Sequence, residues 1–318
     1  MALITALLLQ LLHMALLLAL APLVVGISRK TKARLLRRTG PSLLQPYRDL
    51  ARLARKEAIV AETASPLFPV YPYVTFAATW TAAALVPAFV TPLPLGWAGD
   101  FIAIVALLGT ARAALALAGL DAGTSFGGIG ASREVMIAAL AEPAMLMVVF
   151  VVALLAGTSD LSAVSAFMND SAVGLRVSLA LGLVALLMVA LAENARIPVD
   201  NPATHLELTM VHEAMVLEYS GRHLLMIELA AALKLLTYMA IVACVFVPVG
   251  IADADASLAG LLIGVVGFVA KVAAMAMLLA LFETSLAKMR VFRVPEFLGA
   301  ALMLGLLAAL LLFVSQRS

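Results

Sequence analysis

The sequence is poor in cysteine, and this scarcity excludes several kinds of redox site. Cys244 is the only cysteine among 318 residues, and it lies within an apolar run. One cysteine cannot form a disulfide within the chain, and zinc sites and iron–sulfur clusters need several ligands. We therefore expect no metal and no other cofactor in this chain, and we interpret Cys244 as a small packing residue.

Charge is also scarce. Only 13% of the residues are Asp, Glu, Lys or Arg, 64% are hydrophobic, and the mean hydropathy is +1.10. Soluble domains carry about a quarter charged residues, so no soluble fold would hide this much apolar surface. The net charge of +2 gives no reason to expect nucleic-acid binding. The composition predicts an integral membrane protein that is solvated by the lipid bilayer.

Internal repeats, low-complexity segments and Pro/Gly-rich linkers are missing, so we expect a single transmembrane domain over residues 1–318. The N-terminus has no basic first region, and its apolar stretch is longer than the roughly 7–15 residues of a signal-peptide core. This stretch is therefore predicted to be a retained first transmembrane helix.

Eight continuous apolar runs are long enough to cross the hydrocarbon core, which takes about 20 residues of helix. Their continuity favours helices over a barrel, in which apolar residues would alternate. The predicted fold is all-α, with about eight transmembrane helices, a cytoplasmic amphipathic helix and an acidic cytoplasmic loop. The runs are 3–27, 66–91, 100–120, 135–157, 173–192, 224–250, 257–281 and 294–314.

The distribution of basic residues predicts the orientation in the cell membrane. Segment 28–65 holds ten Lys and Arg residues against three acidic ones, which marks it as cytoplasmic. With eight spans, segments 121–134, 193–223 and 282–293 share that side, and both termini lie outside. The loops predicted on the opposite side carry no Lys or Arg, only Asp160, Asp170, Asp253 and Asp255.

Segment 46–58 is the predicted amphipathic helix. Leu50, Leu53 and Ala54 share one face, whereas the basic residues lie largely elsewhere. A basic interfacial helix suits anionic lipid and a cytoplasmic protein partner equally well, so both interpretations stay open.

The stretch 192–222 is acidic although it is predicted to be cytoplasmic. One interpretation is a solvated acidic surface. The other is a half-buried cluster, in which burial and like charges raise carboxyl pKa values enough to pass protons. Apolar residues at near-helical spacing favour the second interpretation. The spacing of His205, Glu207 and His212 matches no strong metal motif. The acidic members are Glu193, Asp200, Glu207, Glu213 and Glu218.

The predicted spans contain charged residues, among them Arg112, Glu142, Glu228, Lys234 and Lys271. Such residues either form packing ion pairs, snorkel to the interface, or line an ion pathway. Glu142 and the carboxylates of the acidic stretch all fall on the predicted cytoplasmic side, as a funnel for protons would require. Lys234 and Lys271 would continue this funnel toward the bilayer centre, with Lys271 meeting Glu228 or Lys234.

Segment 121–134 is rich in glycine. It lacks the Lys of a phosphate-binding loop and no strand precedes it. We interpret it as a flexible re-entrant turn that leads into the fourth span.

Three motifs resemble one family over nearly the whole chain. They are the basic segment 28–57, the segment GGIGASREVMIAALAEP at 127–143, and AENARIPVDNP at 192–202 with EYSG at 218–221. Together they are similar to subunit 1, the H subunit, of respiratory complex I and of membrane-bound [NiFe]-hydrogenases. Three features resemble the branch of formate hydrogenlyase subunit 4 and hydrogenase-4 component C. They are the shortened segment after Gly40, the presence of Ala203 and His205 in place of carboxylates, and the short insertion at 210–215.

This resemblance implies site residues. Glu142, Glu193, Asp200, Glu207 and Glu218 match the family's polar channel, and we add Glu213, Glu228, Lys234 and Lys271 to the predicted proton pathway. Arg29, Arg38, Arg133 and Arg196 match the basic positions near the docking surface, to which we add Asp49. The chain itself would hold no catalytic centre.

The function that follows is a membrane anchor and proton-pathway subunit that couples cytoplasmic redox chemistry to ion translocation. The implied partners are hydrogenase large and small subunits and iron–sulfur subunits, which carry the [NiFe] and iron–sulfur centres, and antiporter-like membrane subunits. Three alternatives stay open: a quinone-site subunit of a complex I-type NADH dehydrogenase, a purely structural anchor, and a stand-alone transporter. The shortened segment after Gly40 weighs against quinone, and the missing repeats weigh against a transporter.

Overall fold

The computed structural model describes residues 2–169, 176–200, 210–253, 256–287, 289 and 293–317. Within them the chain is nearly all helical, as predicted, and the small remainder includes one pair of two-residue parallel strands, β1 (Val90–Thr91) and β2 (Ala252–Asp253). The helices are α1 (Ala2–Leu35), α2 (Gln45–Arg55), α3 (Tyr71–Leu85), α4 (Phe101–Asp121), α5 (Ser125–Ala156), α6 (Leu161–Met168), α7 (Val177–Glu193), α8 (His212–Val216), α9 (Gly221–Phe246), α10 (Leu258–Ser285) and α11 (Val294–Arg317).

Six helices in the described part are long and apolar enough to cross a membrane: α1, α4, α5, α9, α10 and α11. Helices α3 and α7, with 15 and 17 residues, coincide with the other two predicted runs but are shorter. The chain is therefore a multi-pass membrane protein. Asp170 and Asp255 lie outside the described residues.

Helix α9 occupies the centre of the bundle. Its faces pack against α1, α2 and α3, and most of its length is buried. Helices α3, α4 and α5 pack in series, while α5, α7 and α11 form a second group. The bundle has a basic end, where α1 stops and α2 lies, and an opposite end, where β1 pairs with β2 and α6 lies.

The amphipathic helix is confirmed as α2, at the basic end. Leu50 and Leu53 are half-buried beneath it, but Ala54 is exposed and does not join the packed face. The preceding segment lies directly on α1, because the Leu43 carbonyl oxygen occupies the space that a Cβ on Gly26 would need.

The interpretation of 121–134 as a flexible turn was wrong. Helix α5 begins at Ser125, where the Thr124 hydroxyl accepts a hydrogen bond from the Gly127 amide. A Cβ on Gly127 would collide with the Gly119 carbonyl oxygen, so glycine here permits close packing against α4. The 32-residue helix extends for about 48 Å, well beyond a hydrocarbon core of about 30 Å.

The opposite end carries one basic residue that the sequence assigned to a span. Helix α7 begins at Val177, so Arg176 precedes it in an exposed position. This end is therefore poor in basic residues rather than free of them.

Candidate functional site

A cavity of about 560 Å³ opens at the basic end of the bundle. Helices α1–α5 and α7–α10 line it, together with the segment that follows α7. Its acidic and basic wall residues are Arg29, Lys32, Asp49, Arg52, Arg112, Glu134, Glu193, Arg196, Asp200, Glu213, Glu228, Lys234 and Glu283.

Glu193, the last residue of α7, holds the centre of this charged wall. One carboxylate oxygen lies 2.6 Å from Arg112 on α4, and the other lies 2.9 Å from Lys234 on α9. The side chain of Glu193 is only 2% exposed. A buried charge is tolerated only when it is paired, so each of these three groups needs the others to remain ionised.

Arg112 also contacts a second carboxylate. Its guanidinium lies 3.2 Å from Glu142 on α5, whose side chain is 48% exposed. The planar guanidinium has several donors in a fixed fork, which lets it bridge two acids. The resulting charged chain, Glu142–Arg112–Glu193–Lys234, crosses four helices in the interior of the bundle.

Asp200, in the segment that follows α7, and His212, the first residue of α8, both line the cavity. Asp200 is 2% exposed and accepts a hydrogen bond of 3.3 Å from the Val211 amide. Burial lowers the pKa of the neighbouring His212 to about 4, and the positive charge of Lys234 acts in the same direction. The His212 imidazole is therefore neutral near pH 7.

Glu283 ties three segments together at the basic end. Its carboxylate lies 3.4 Å from Lys32 on α1 and 3.4 Å from Arg196, which follows α7. Glu283 itself is 6% exposed. This pairing fixes the end of α10 against the segment that carries Asp200.

The structure gathers most of the predicted pathway residues. Glu193, Asp200, Glu213, Glu228 and Lys234 line the cavity, and Glu142 joins them through Arg112. Glu207 and His205 lie outside the described residues. Glu218 is exposed and does not line the cavity.

Lys271 does not continue the funnel. Its ammonium donates a 2.7 Å hydrogen bond to the Val247 carbonyl, just beyond the last residue of α9, near the opposite end. The expected meeting with Glu228 or Lys234 was wrong, because both lie in the half of α9 that faces the cavity. A cation at the carboxyl end of a helix is stabilised by the helix dipole, which explains this position.

The predicted docking residues fall into two groups. Arg29, Asp49 and Arg196 line the cavity, and Asp49 accepts hydrogen bonds from Gln45 and Arg52. Arg133 donates to the Met210 carbonyl at 2.8 Å, and Arg38 is exposed. Docking to a partner stays a prediction for all five.

Sequence reasoning left several members of the site out of the pathway. Arg112 was noted only as a charge within a span. Neither Glu134, in the first part of α5, nor Glu283, near the end of α10, was singled out. Tyr238 is buried one helical turn from Lys234. The available signal was the four-residue spacing from Lys234 to Tyr238, which places both residues on one face of a helix.

Among the described residues, no group of three or more His, Cys, Asp or Glu side chains is arranged to hold a metal ion. The described residues bring several carboxylates and two cations, Arg112 and Lys234, together at a cavity. This arrangement suits the exchange of protons.

Comparison with known proteins agrees with the family that the motifs suggested. The family described as NADH dehydrogenase matches residues 7–314. Formate hydrogenlyase subunit 4 of Escherichia coli (strain K12) is 33% identical over 297 residues, which cover 93% of this chain and 94% of that protein. Hydrogenase-4 component C of the same organism is 34% identical over 276 residues, which cover 86% and 85%.

A solved structure shares the fold. A chain in the membrane-bound sulfane sulfur reductase, an archaeal respiratory membrane complex, superposes with a TM-score of 0.80 over 96% of this chain and 98% of that one, at 19% identity. The match over residues 7–314 and two relatives above 30% identity show that the chain belongs to the NADH dehydrogenase family.

Proposed function

We propose that this chain is the membrane-anchor and proton-pathway subunit of a membrane-bound [NiFe]-hydrogenase or formate-hydrogenlyase-like complex. The names of its two bacterial relatives and their near-complete overlap with this chain support the hydrogenase branch. The single observation that carries the pathway role is the chain Glu142–Arg112–Glu193–Lys234 beside a charged cavity.

The proposed topology has eight crossings of the cell membrane. At 1.5 Å per residue, α3 and α7 extend for about 22 and 26 Å, so each nearly spans the hydrocarbon core between longer neighbours. The basic end is proposed to face the cytoplasm, since Lys and Arg accumulate on that side. Both termini are then outside, and the cavity opens toward soluble partners.

Arg112 gives this arrangement a way to transmit charge. It contacts Glu142 and Glu193 together, so a proton that neutralises one carboxylate weakens that contact and leaves the guanidinium closer to the other. Glu193 can accept such a proton from carboxylates of the cavity wall, such as Glu134 and Asp200. A proton that arrives at the cavity therefore changes the strength of the contact between Arg112 and Glu142.

Glu142 points to a membrane partner. It lies in the middle of α5, and about half of its side chain is exposed on the surface of the bundle, next to Gly109 of α4. A carboxylate that faces hydrocarbon costs a few kcal/mol or more. We infer that an antiporter-like membrane subunit covers this face and receives the proton.

The soluble partners are proposed at the basic end. Helix α2, Arg38 and the exposed Arg29 offer a basic surface to cytoplasmic hydrogenase large and small subunits and to iron–sulfur subunits. Those partners would carry the [NiFe] and iron–sulfur centres. This chain would contribute none, since Cys244 is its only cysteine.

The test compares Glu142→Gln with Glu296→Gln in the assembled complex. Glu296 is an exposed carboxylate in the first turn of α11, so its variant controls for loss of charge. Proton movement into inverted vesicles and redox turnover are measured on the same preparation. The proposal expects Glu142→Gln to lose at least ten-fold in proton movement with turnover intact, and Glu296→Gln to match the wild type. Unchanged proton movement in Glu142→Gln would leave a purely structural anchor as the better description.

A quinone site is a second candidate because of the cavity volume. About 560 Å³ lies within the range of small-molecule pockets. The short segment after Gly40 lies against α1 beside the cavity, and the wall mixes apolar side chains with charged ones. A short-chain quinone analogue added to the purified complex separates the two functions: saturable inhibition of turnover that Leu53→Trp relieves would favour the quinone site.

A further inference from the structure

Two polar residues of α1 are buried outside the lining of the cavity. Gln10 and His13 are 4% and 0% exposed, on a stripe of α1 that otherwise carries Leu17 and Ala21. The Gln10 amide nitrogen donates to the Ala84 carbonyl at 3.0 Å, but the Gln10 oxygen and both His13 nitrogens have no hydrogen-bond partner within the described chain. The Val86 backbone lies next to the imidazole, and the Phe89 ring is tilted by 41° against it with centroids 5.4 Å apart.

Three buried polar atoms without a hydrogen-bond partner in the described chain are unfavourable in a lipid-embedded interior, because the protein does not compensate their desolvation. Apolar residues at both positions would pack into the same stripe without this penalty. Two such residues one turn apart therefore point to a site that exchanges hydrogen bonds or protons.

Two hydrogen bonds fix the level of this pair relative to the cavity. Trp80 on α3 donates to the Met14 carbonyl at 3.4 Å, and the Gln10 amide bonds Ala84, so α1 and α3 run antiparallel in a known register. Thr79 precedes Trp80 and lines the inner part of the cavity. With a rise of 1.5 Å per residue, His13 lies within about one helical turn of Thr79 along the bundle axis.

We propose that His13 is a proton acceptor in the outer half of the bundle and continues the pathway from the Thr79 level of the cavity toward the opposite end. The inference rests on the proposed proton-pathway function. One ring nitrogen takes a proton from a hydronium ion on the cavity side, which leaves water. The other nitrogen releases its proton to water on the opposite side, and a ring flip restores the starting tautomer.

The surroundings leave His13 as the group suited to this step. Helix α3 carries no charged residue between Tyr71 and Leu85. On α9 the titratable groups beyond Lys234 are Tyr238 and Cys244, and the Cys244 thiol lies 3.8 Å from the Leu161 carbonyl. On α10, Lys271 is bonded to the Val247 carbonyl. Of these groups, only the imidazole carries a proton donor and a proton acceptor on two separate ring nitrogens, as the relay step requires.

The test places His13→Gln and His13→Phe in the full complex, beside Glu142→Gln. The amide of His13→Gln keeps hydrogen-bonding capacity but cannot relay a proton, and this variant decides alone if His13→Phe fails to assemble. The expected result is at least a ten-fold loss of proton movement in vesicles, with complex abundance and turnover in detergent unchanged.

Proton movement at the wild-type rate in His13→Gln would overturn the inference. If Glu142→Gln loses proton movement while His13→Gln keeps it, the inference fails and the proposed function stands. If Glu142→Gln itself keeps proton movement, the proposed function fails first.

Discussion

Helices α9 and α10 have almost the same length and the same apolar character, yet they occupy opposite environments. In the most apolar stretch of α9, 78% of the residues are buried, against 22% in α10. Each helix carries a lysine within its apolar run. Lys234 on α9 lies 2.9 Å from a buried carboxylate, whereas Lys271 on α10 lies 2.7 Å from a backbone carbonyl at a helix end.

This difference teaches that hydrophobicity decides whether a helix enters the membrane, while packing decides what its polar residues do there. The lysine on the central helix forms an ion pair with a buried carboxylate of a neighbouring helix. The lysine on the peripheral helix donates a hydrogen bond to a backbone carbonyl at a helix end. The two lysines therefore offer matched substitutions.

The largest difference is expected between Lys234→Met and Lys271→Met. Removing Lys234 leaves Glu193 buried with one cation in place of two, and breaking a buried ion pair costs about 3–5 kcal/mol. Lys271→Met removes a contact with a helix end, worth about 0.3–1 kcal/mol. Unfolding of the detergent-solubilised complex by titrated SDS measures both. Equal losses of stability in the two variants would show that Lys234 on α9 is held no more strongly than Lys271 on α10.

A smaller difference is expected for leucine truncation on the same two helices. Leu236 on α9 is 1% exposed and Leu262 on α10 is 58% exposed. Leu236→Ala leaves a cavity in a packed interior and should cost about 2–4 kcal/mol, whereas Leu262→Ala should stay within about 0.5 kcal/mol. The same SDS titration reads out the change, and a large cost for Leu262→Ala would show that another subunit covers this face of α10.

The smallest effect expected here concerns pH. His212 has an ordinary pKa of 6.5 that burial and Lys234 lower to about 4 in the folded chain, so folding favours its neutral form. The stabilisation is complete above pH 6.5 and is lost as the pH falls toward 4. Between pH 7.5 and 5 the wild type should lose about 1–2 kcal/mol that His212→Gln does not lose.

Lys234→Met sharpens this prediction, because removing a nearby cation raises the pKa of His212. The acid-induced loss should then be smaller than in the wild type, because it ends at the higher pKa that His212 has in the folded variant. An equal acid-induced loss in Lys234→Met and the wild type would show that Lys234 does not act on the imidazole.

The helices were predictable because eight apolar runs leave the chain no other way to satisfy its backbone in lipid. The amphipathic α2 was predictable for a similar reason, since Leu50 and Leu53 repeat at helical spacing. The resemblance of motifs around Glu142 and Glu193 located the two carboxylates that Arg112 joins.

The contacts themselves were not predictable. Nothing in the spacing of Arg112 shows that it meets residues on both α5 and α7, because that depends on how three helices pack. Gly127 was misread for the same reason: its role is visible only when α4 lies against it. Lys271 was misplaced because an apolar run does not reveal which helix end its lysine reaches.

The most direct test is the accessibility of the cavity to water from each side of the membrane. Ala231 lines the cavity, and Val266 on α10 is 67% exposed on the outer surface of the bundle. In a Cys244→Ser background, Ala231→Cys and Val266→Cys are treated in sealed vesicles with a membrane-impermeant thiol reagent. A charged cavity that opens to the cytoplasm predicts that Ala231→Cys reacts only when the cytoplasmic face is outward, and that Val266→Cys stays unlabelled in both orientations. Reaction of Ala231→Cys from the opposite face, or from neither, would contradict the account.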